Sequence, residues 1–409
     1  MTDTNLNKTK QESALTRIIR ASEVDTRMLG MIVVLVVIWV GLNIATGGIF
    51  LSARNLYNLA VQTSVVGIMA TGMVLVIVAR HIDLSVGSVM GFIGMVIAWL
   101  QVDIFPLEAG WNWPLSIACG ASLGVLIGIF QGWFTAYRGI PAFVVTLGGM
   151  LAFRGGAFLV TDGRTVAPMN KTYGLLGGGI DGSIGTTWSM ILGIIAILVI
   201  AIGMYRSHAS RVKHNFPTKP IWLQLVMFAI IAIVVFGFVY IMNSYNKPRS
   251  DIGRGIPVPV LILIAVVIVM TLLSRITKFG RYVYAIGANP EAAELSGIDV
   301  KKVTTFIFVI MGILCAIAAV ITTARLNAGT NSMGDSSELL VIAAAIIGGT
   351  SLAGGSGSIP GAILGAVIMQ SIENAMILLG AGSGERMVVM GLVLIVAVWF
   401  DTAYQNSKK

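Results

Sequence analysis

The chain has 409 residues, of which 56% are hydrophobic and only 11% charged, against roughly a quarter charged in ordinary soluble domains. So few charges could not clothe that much apolar surface in water. A membrane-crossing helix needs about 20 mostly apolar residues, so the composition predicts an all-α polytopic membrane protein and excludes soluble, fibrous and disordered classes.

The net charge of +9 is scattered between apolar runs, which fits loop asymmetry in a membrane protein and argues against a nucleic-acid partner. The 48 glycines suit helices whose backbones approach closely in lipid. Cys119 and Cys315 both sit in apolar runs, as small core residues do.

In chain order, residues 1–27 are polar and of mixed charge, a cytoplasmic tail in which Leu15, Ile18 and Ile19 beside Arg17 and Arg20 read either as a short interfacial helix or as a solvated segment. The run 28–46 is uncharged and lacks a small-residue cleavage site, so it reads as a retained first span. Charge-free stretches then mark spans at about 56–79, 84–102, 113–137, 141–160, 186–205, 221–243, 257–274 and 303–324, with Arg154 as the lone charge inside them. Residues 339–372 carry no charge, yet glycines at 354–357 divide them into a short segment, 339–354, and a longer one, 358–380. A last segment, 386–402, precedes a cytoplasmic tail at 403–409. The expected membrane domain is 28–402, with ten to twelve spans, some short or broken.

If both termini are cytoplasmic, 18 Lys and Arg fall on that side and 8 on the other, the asymmetry expected because positive residues resist translocation. The loop 244–256, with three positives on the far side, fits least well.

Three segments carry more than hydropathy. In Ala288-Asn289-Pro290-Glu291-Ala292-Ala293-Glu294-Leu295-Ser296-Gly297, Asn289 suits an N-cap, Pro290 the first helical position, Glu291 and Glu294 the positive helix end, and Gly297 a left-handed stop. A two-turn helix at 289–297 on the cytoplasmic face reads as an ordinary capped loop or as a lever for a soluble motor. In Ile82-Asp83-Leu84-Ser85-Val86-Gly87-Ser88, Asp83 reads either as the cap of the span starting at Leu84 or, with Ser85 and Ser88, as the lining of a polar passage. Around 348–361, clustered glycines with Pro360 argue against one straight helix, and non-helical backbone at membrane depth is tolerated only within protein or beside water. Gly87-Ser88-Val89-Met90-Gly91 and Gly357-Ser358-Ile359-Pro360-Gly361 share a Gly-Ser-apolar-x-Gly pattern, a hint of duplication. Tight packing and a pathway role both account for it.

No GxxxxGK[ST] loop is present, so ATP is not bound here by that device. His208 and His214 read as members of a basic loop and give no zinc spacing. Acids deep within spans are scarce, Glu373 being the main candidate, which weighs against a proton-coupled pump.

Ile82-Asp83-Leu84-Ser85-Val86-Gly87-Ser88, Ile140-Pro141-Ala142-Phe143-Val144-Val145-Thr146-Leu147-Gly148, Tyr284-Ala285-Ile286-Gly287-Ala288-Asn289-Pro290-Glu291-Ala292-Ala293 and Ile347-Gly348-Gly349-Thr350-Ser351-Leu352-Ala353-Gly354-Gly355 together resemble bacterial ABC importer permeases for monosaccharides, the ribose/xylose/arabinose/galactose branch. The additional apolar segment near 206–245 is most like D-xylose or multi-sugar permeases. The resemblance implies a permease, not an enzyme, in the inner membrane. Its partners would be a second permease copy, surrounding lipid, a cytoplasmic sugar ATPase that holds ATP and magnesium, and a periplasmic sugar-binding protein. It implies a coupling helix at Asn289, Pro290, Glu291, Ala292, Ala293, Glu294, Leu295, Ser296 and Gly297, with no cofactor, metal or catalytic residue in this chain. A weakly polar sugar path at Asp83, Ser85, Ser88, Ser356, Ser358 and Asn374 agrees with such a permease. Two departures from the family's pattern stand out: Arg80-His81 before Ile82-Asp83, and Gln131-Gly132 at the end of the fourth span. A stand-alone proton-coupled sugar transporter, and an ABC permease for branched-chain amino acids or nucleosides, remain the alternatives.

Overall fold

The computed structural model describes residues 26–218 and 220–406, so the tails at 1–25 and 407–409, including the interfacial segment around Leu15, lie outside the described residues. The long helices are α1 (Thr26–Ala45), α2 (Ala53–Val78), α3 (Val86–Trp99, continued by a π-helical turn at Leu100–Ile104), α4 (Asn112–Ala136) and α5 (Ala142–Leu159). A short α6 (Lys171–Gly174) precedes α7 (Gly185–Lys213), α8 (Ile221–Asn243) and α9 (Val258–Ile276). Two small helices, α10 (Lys278–Ala288) and α11 (Pro290–Leu295), lead into α12 (Val300–Leu326), α13 (Ser337–Ile347), α14 (Ile359–Leu378) and α15 (Ser383–Asn406). Among the described residues ten helices are long and apolar enough to span a bilayer, and the 11-residue α13 is shorter. Each expected span contains a helix, but that of the 339–354 segment stops at Ile347, and α15 at the last segment is not among the ten.

The core is built on α2 and α12, which pack on each other, with α3 packed on α12 and α13 on α2. On α4, Gly120, Gly124, Gly128 and Gly132 recur every fourth residue and so share one face. Gly124, Gly128 and Gly132 lie against the α12 backbone at Gly312, Phe308–Val309 and Thr305, where no methyl group would fit. With lipid tails as apolar as leucine, such close approach is what holds helices together in a bilayer. By contrast α7 and α8 pack chiefly on each other, with Gly193 against Val239, and leave most side chains on the outside of the bundle.

Two details correct the sequence-based expectation. The helix α7 runs on to Lys213, so Arg206, His208 and Arg211 stand on a helix and His214 is its C-cap, where a basic loop was expected. Long Arg and Lys side chains tolerate this because their charged ends reach past the apolar boundary. The segment 278–288, expected as loop, is α10. Its Thr277 hydroxyl accepts from the Gly280 N–H at 3.1 Å, and Val283 and Ile286 turn inward.

Candidate coupling and translocation site

The α11 helix is built as its sequence dictates. Asn289 Oδ1 accepts from the Ala292 N–H at 3.1 Å, and Pro290 occupies the first helical position. At the other end Gly297 adopts φ +81°, with Gly297 N–H donating to Glu294 O at 2.9 Å and Ile298 N–H to Ala293 O at 3.1 Å. This pair of bonds is a Schellman stop. Ala293 is buried, whereas Glu291, Ala292, Glu294 and Ser296 are exposed and Leu295 is 91% exposed. The outer face is thus an apolar knob flanked by two carboxylates. Next to it, Asp299 caps α12 by accepting from the Lys302 N–H at 3.0 Å. Hydrogen bonds from Lys302 hold the Asp299 carboxyl below its usual range.

The root of α11 is tied to the bundle by Arg80. In the connection between α2 and α3 this residue takes φ +65°, and its guanidinium donates to Gly287 O at 2.7 Å and Ala288 O at 2.8 Å, closing the end of α10. Gly355 N–H donates to Val78 O at 2.9 Å and the Tyr284 hydroxyl to Gly357 O at 2.9 Å. Gly287 lies so close to Val78 and Gly355 that no Cβ would fit. The end of α2, the glycine loop 354–357 and the root of α11 are therefore one hydrogen-bonded unit. Beside it, His81 borders an open cavity shared with Thr135 and the 139–143 turn. Burial pushes its imidazole down to about 4, so it is neutral at pH 7.

The segment around Asp83 forms a second, buried node. Asp83 Oδ1 accepts from the Ser85 N–H at 2.8 Å and the Ser85 hydroxyl at 2.7 Å, and Gln131 Nε2 donates to Ser85 Oγ at 2.7 Å. The Thr146 hydroxyl accepts from the Leu84 N–H at 3.1 Å and donates to Ile82 O at 3.2 Å. The N-cap of α3 is Ser85, not Asp83, because the Asp83 carboxylate closes a local turn on Ser85 before the helix begins. Asp83, Ser85 and Ser88 are all buried, and Ser88 Oγ has no hydrogen-bond partner among the described residues. Gln131 thus serves this node.

The remaining path candidates lie apart. Ser356 is exposed on the glycine loop, and Ser358 is the N-cap of α14, accepting from the Gly361 N–H at 3.3 Å. Asn374 is buried and donates to Gln62 Oε1 at 3.3 Å, in a cluster where Gln370 donates to Glu373 at 2.9 Å. The two Gly-Ser-apolar-x-Gly motifs do similar packing work: Gly87 lies against the backbone of Gly334, and Gly361 against that of Gly348.

Sequence reasoning did not single out the connection from α12 to α13. After Leu326 the chain turns back along α3: Gly329 packs on Ala98, Met333 on Gly91, and Gly334 on Gly87. Residues 331–336 form a run of turns, with Met333 N–H donating to Thr330 O at 3.1 Å and Asp335 N–H to Ser332 O at 3.2 Å. Arg154 Nη1 donates to Met333 O at 3.0 Å and Asn331 O at 3.3 Å, and its Nη2 lies 3.7 Å from Asp335. The one charge within the expected spans therefore satisfies carbonyls of a turn segment, which lipid cannot do. A lone Arg in a glycine-flanked apolar run was the available signal.

On the far side of the bundle, Lys247 pairs with Asp181 at 2.9 Å and the buried Arg254 stacks 4.2 Å over Tyr245. Two of the three cations of the 244–256 loop are therefore engaged in local structure.

A bundle of ten long apolar helices, with broken elements among them and a short capped helix at one end, is an architecture that suits a solute permease. The chain belongs to the family described as branched-chain amino acid transport system / permease component, whose model matches residues 55–398. It is 41% identical to the xylose transport system permease protein XylH of Haemophilus influenzae, over 95% of this chain and 99% of that protein. It is 40% identical to XylH of Escherichia coli K12 over 91% of each chain, and 33% identical to the ribose import permease protein RbsC of Haemophilus influenzae over 88% of each. No solved structure matches. Ten apolar helices and these transport permease relatives make the chain a multi-pass inner-membrane protein and not an enzyme.

Proposed function

We propose that this chain is the membrane-spanning permease subunit of an ATP-driven importer for monosaccharides, with D-xylose and related pentoses or hexoses as cargo. The observation that carries the reading is the 41% identity to a xylose permease along 95% of the chain. In this reading a cytoplasmic sugar ATPase, which holds ATP and magnesium, grips α11, and a periplasmic binding protein delivers the sugar. A second permease copy completes the path, and lipid covers the exposed apolar faces of α1, α7 and α8. Both termini are cytoplasmic, and the membrane domain 28–402 is flanked by the tails 1–27 and 403–409.

The mechanism follows from how α11 is held. A soluble motor can bias a two-state bundle only by binding its states unequally. The exposed Leu295, Glu291 and Glu294 offer the grip, and the Arg80 and Gly355 hydrogen bonds join α11's root to α2 and the 354–357 loop. Motion of α11 is thereby passed to the loop bearing Ser356 and Ser358 and to the connection bearing Asp83, Ser85 and Ser88, the proposed sugar path along with Asn374. The test is uptake of labelled xylose into vesicles holding the permease with its ATPase and binding protein. Uptake that requires ATP and both partners, and survives collapse of the proton gradient, supports the proposal. Accumulation by the permease alone overturns it.

A further inference from the structure

The segment 331–338 carries two carboxylates whose position the packing defines. The Cys315 thiol contacts Val86 O at 3.5 Å, so the start of α3 stands beside Cys315 of α12. Cys315 lies 15 residues from the start of the 27-residue α12 and 11 from its end, or about 22 Å and about 16 Å along the axis. The first turn of α3 is therefore near the middle of the bundle. Gly334 touches Gly87 in that turn, which places Asp335 and Glu338 at the same mid-depth level. A charge at that depth is costly unless it reaches water or a partner. Yet the Asp335 side chain is 62% exposed, with Arg154, its ion-pair partner, at 27%. Glu338 Oε2 and Asn331 Oδ1 are buried oxygens with no hydrogen-bond partner among the described residues, and such atoms need a donor.

Arg154 sits about 8 Å from the near end of α5, five residues before Leu159, close enough for its charge to reach that end. Instead it turns inward to the Met333 and Asn331 carbonyls. It thereby holds acceptor oxygens of the turn segment 331–336 beside the exposed Asp335 side chain.

We propose that the segment 331–338, the turns and first helical residues that lead into α13, held in place by Arg154, is a polar wall of the sugar path, with Asp335 as the side chain that accepts hydrogen bonds from the hydroxyls of a passing monosaccharide. Arg154 is a positioning residue that orients the wall. This inference rests on the chain being the sugar-translocating subunit.

The test uses the complete complex in vesicles, in a Cys119→Ser, Cys315→Ser background. A charged, membrane-impermeant thiol reagent is applied to Asp335→Cys, with Val199→Cys as control, since Val199 is 62% exposed on the outer face of α7. Expected is labelling of Asp335→Cys at least about tenfold faster than the control, slowed when xylose and the binding protein are present. In parallel, Asp335→Asn is expected to raise the xylose concentration for half-maximal uptake about fivefold with ATPase binding unchanged. Labelling as slow as at Val199→Cys overturns the proposal, and so does parental uptake by both Asp335→Asn and Asp335→Ala. Xylose uptake by the parent in the same vesicles reports separately on the transport reading, so the two failures are distinguishable.

Discussion

Arg80 and Gly287, 207 residues apart in the chain, are joined by a 2.7 Å hydrogen bond from the guanidinium Nε to the carbonyl oxygen. A second bond to Ala288 O at 2.8 Å makes the contact a two-pronged clamp on the end of α10. Arg supplies a planar fork that Lys cannot reproduce.

Arg80→Gln is therefore expected to loosen the lever without unfolding the bundle. Charge-assisted bonds of this kind contribute about 1.5–3 kcal/mol. Xylose uptake should fall about tenfold while ATP hydrolysis by the complex persists, and Arg80→Lys should not restore it. Parallel assays of uptake and hydrolysis in vesicles check this, and tight coupling in Arg80→Gln would refute it.

The exposed face of α11 gives a prediction of the opposite kind. Leu295 is 91% exposed and Glu291 and Glu294 are exposed, so substitutions there should change stability by no more than about 0.5 kcal/mol. Leu295→Asp, and Glu291→Arg with Glu294→Arg, should each abolish co-purification of the ATPase while leaving the melting temperature of the permease unchanged. Full sugar uptake by either variant would remove α11 as the site of coupling.

The glycine face of α4 predicts a sharp contrast between two glycines. Gly128 lies against the α12 backbone at Phe308 and Val309, whereas Gly148 of α5 has open space around it. Gly128→Leu should cost at least about 1–3 kcal/mol through overpacking and yield aggregated protein on size-exclusion chromatography. Gly148→Leu should behave as the parent. Equal behaviour of the two would mean that α4 and α12 do not meet as described.

Protonation of His81 gives a pH dependence. Burial lowers its pKa to about 4, below the unfolded value of about 6.5. The folded state therefore holds fewer protons than the unfolded one between these values. Stability is complete above pH 6.5 and is lost as pH falls toward 4, by at most about 3 kcal/mol. His81→Gln should flatten this part of the melting-temperature profile in detergent between pH 7 and pH 4. An unchanged profile would show that His81 reaches solvent.

Much of this was legible in the chain itself. The cores of the spans follow from runs free of charge, although α7 runs on through Arg206 and Arg211 to Lys213, and Asn289, Pro290 and Gly297 marked α11, which covers Pro290–Leu295. The helix α10 carries a local signal, since Phe279, Val283 and Ile286 repeat with a helical period behind a capping Thr277. What escaped is of another kind. Glycines around 354–357 announced a break in the helix, yet nothing nearby says that Val78 and Tyr284 receive it. Arg154 stood out as a charge among apolar residues, but its acceptors lie 177 and 179 positions away.

The order of the apolar helices and the capped helix α11 were legible in sequence alone, because hydropathy, capping and left-handed glycine are properties of neighbouring residues. Only the tertiary structure decided how deep α3 and α13 begin, which carbonyls Arg80 and Arg154 satisfy, and why Asp335 stands at mid-depth. Those features arise from backbone groups that lose their helical partners inside a bundle and must be satisfied by whichever donor the packing brings to them, a condition no local period records.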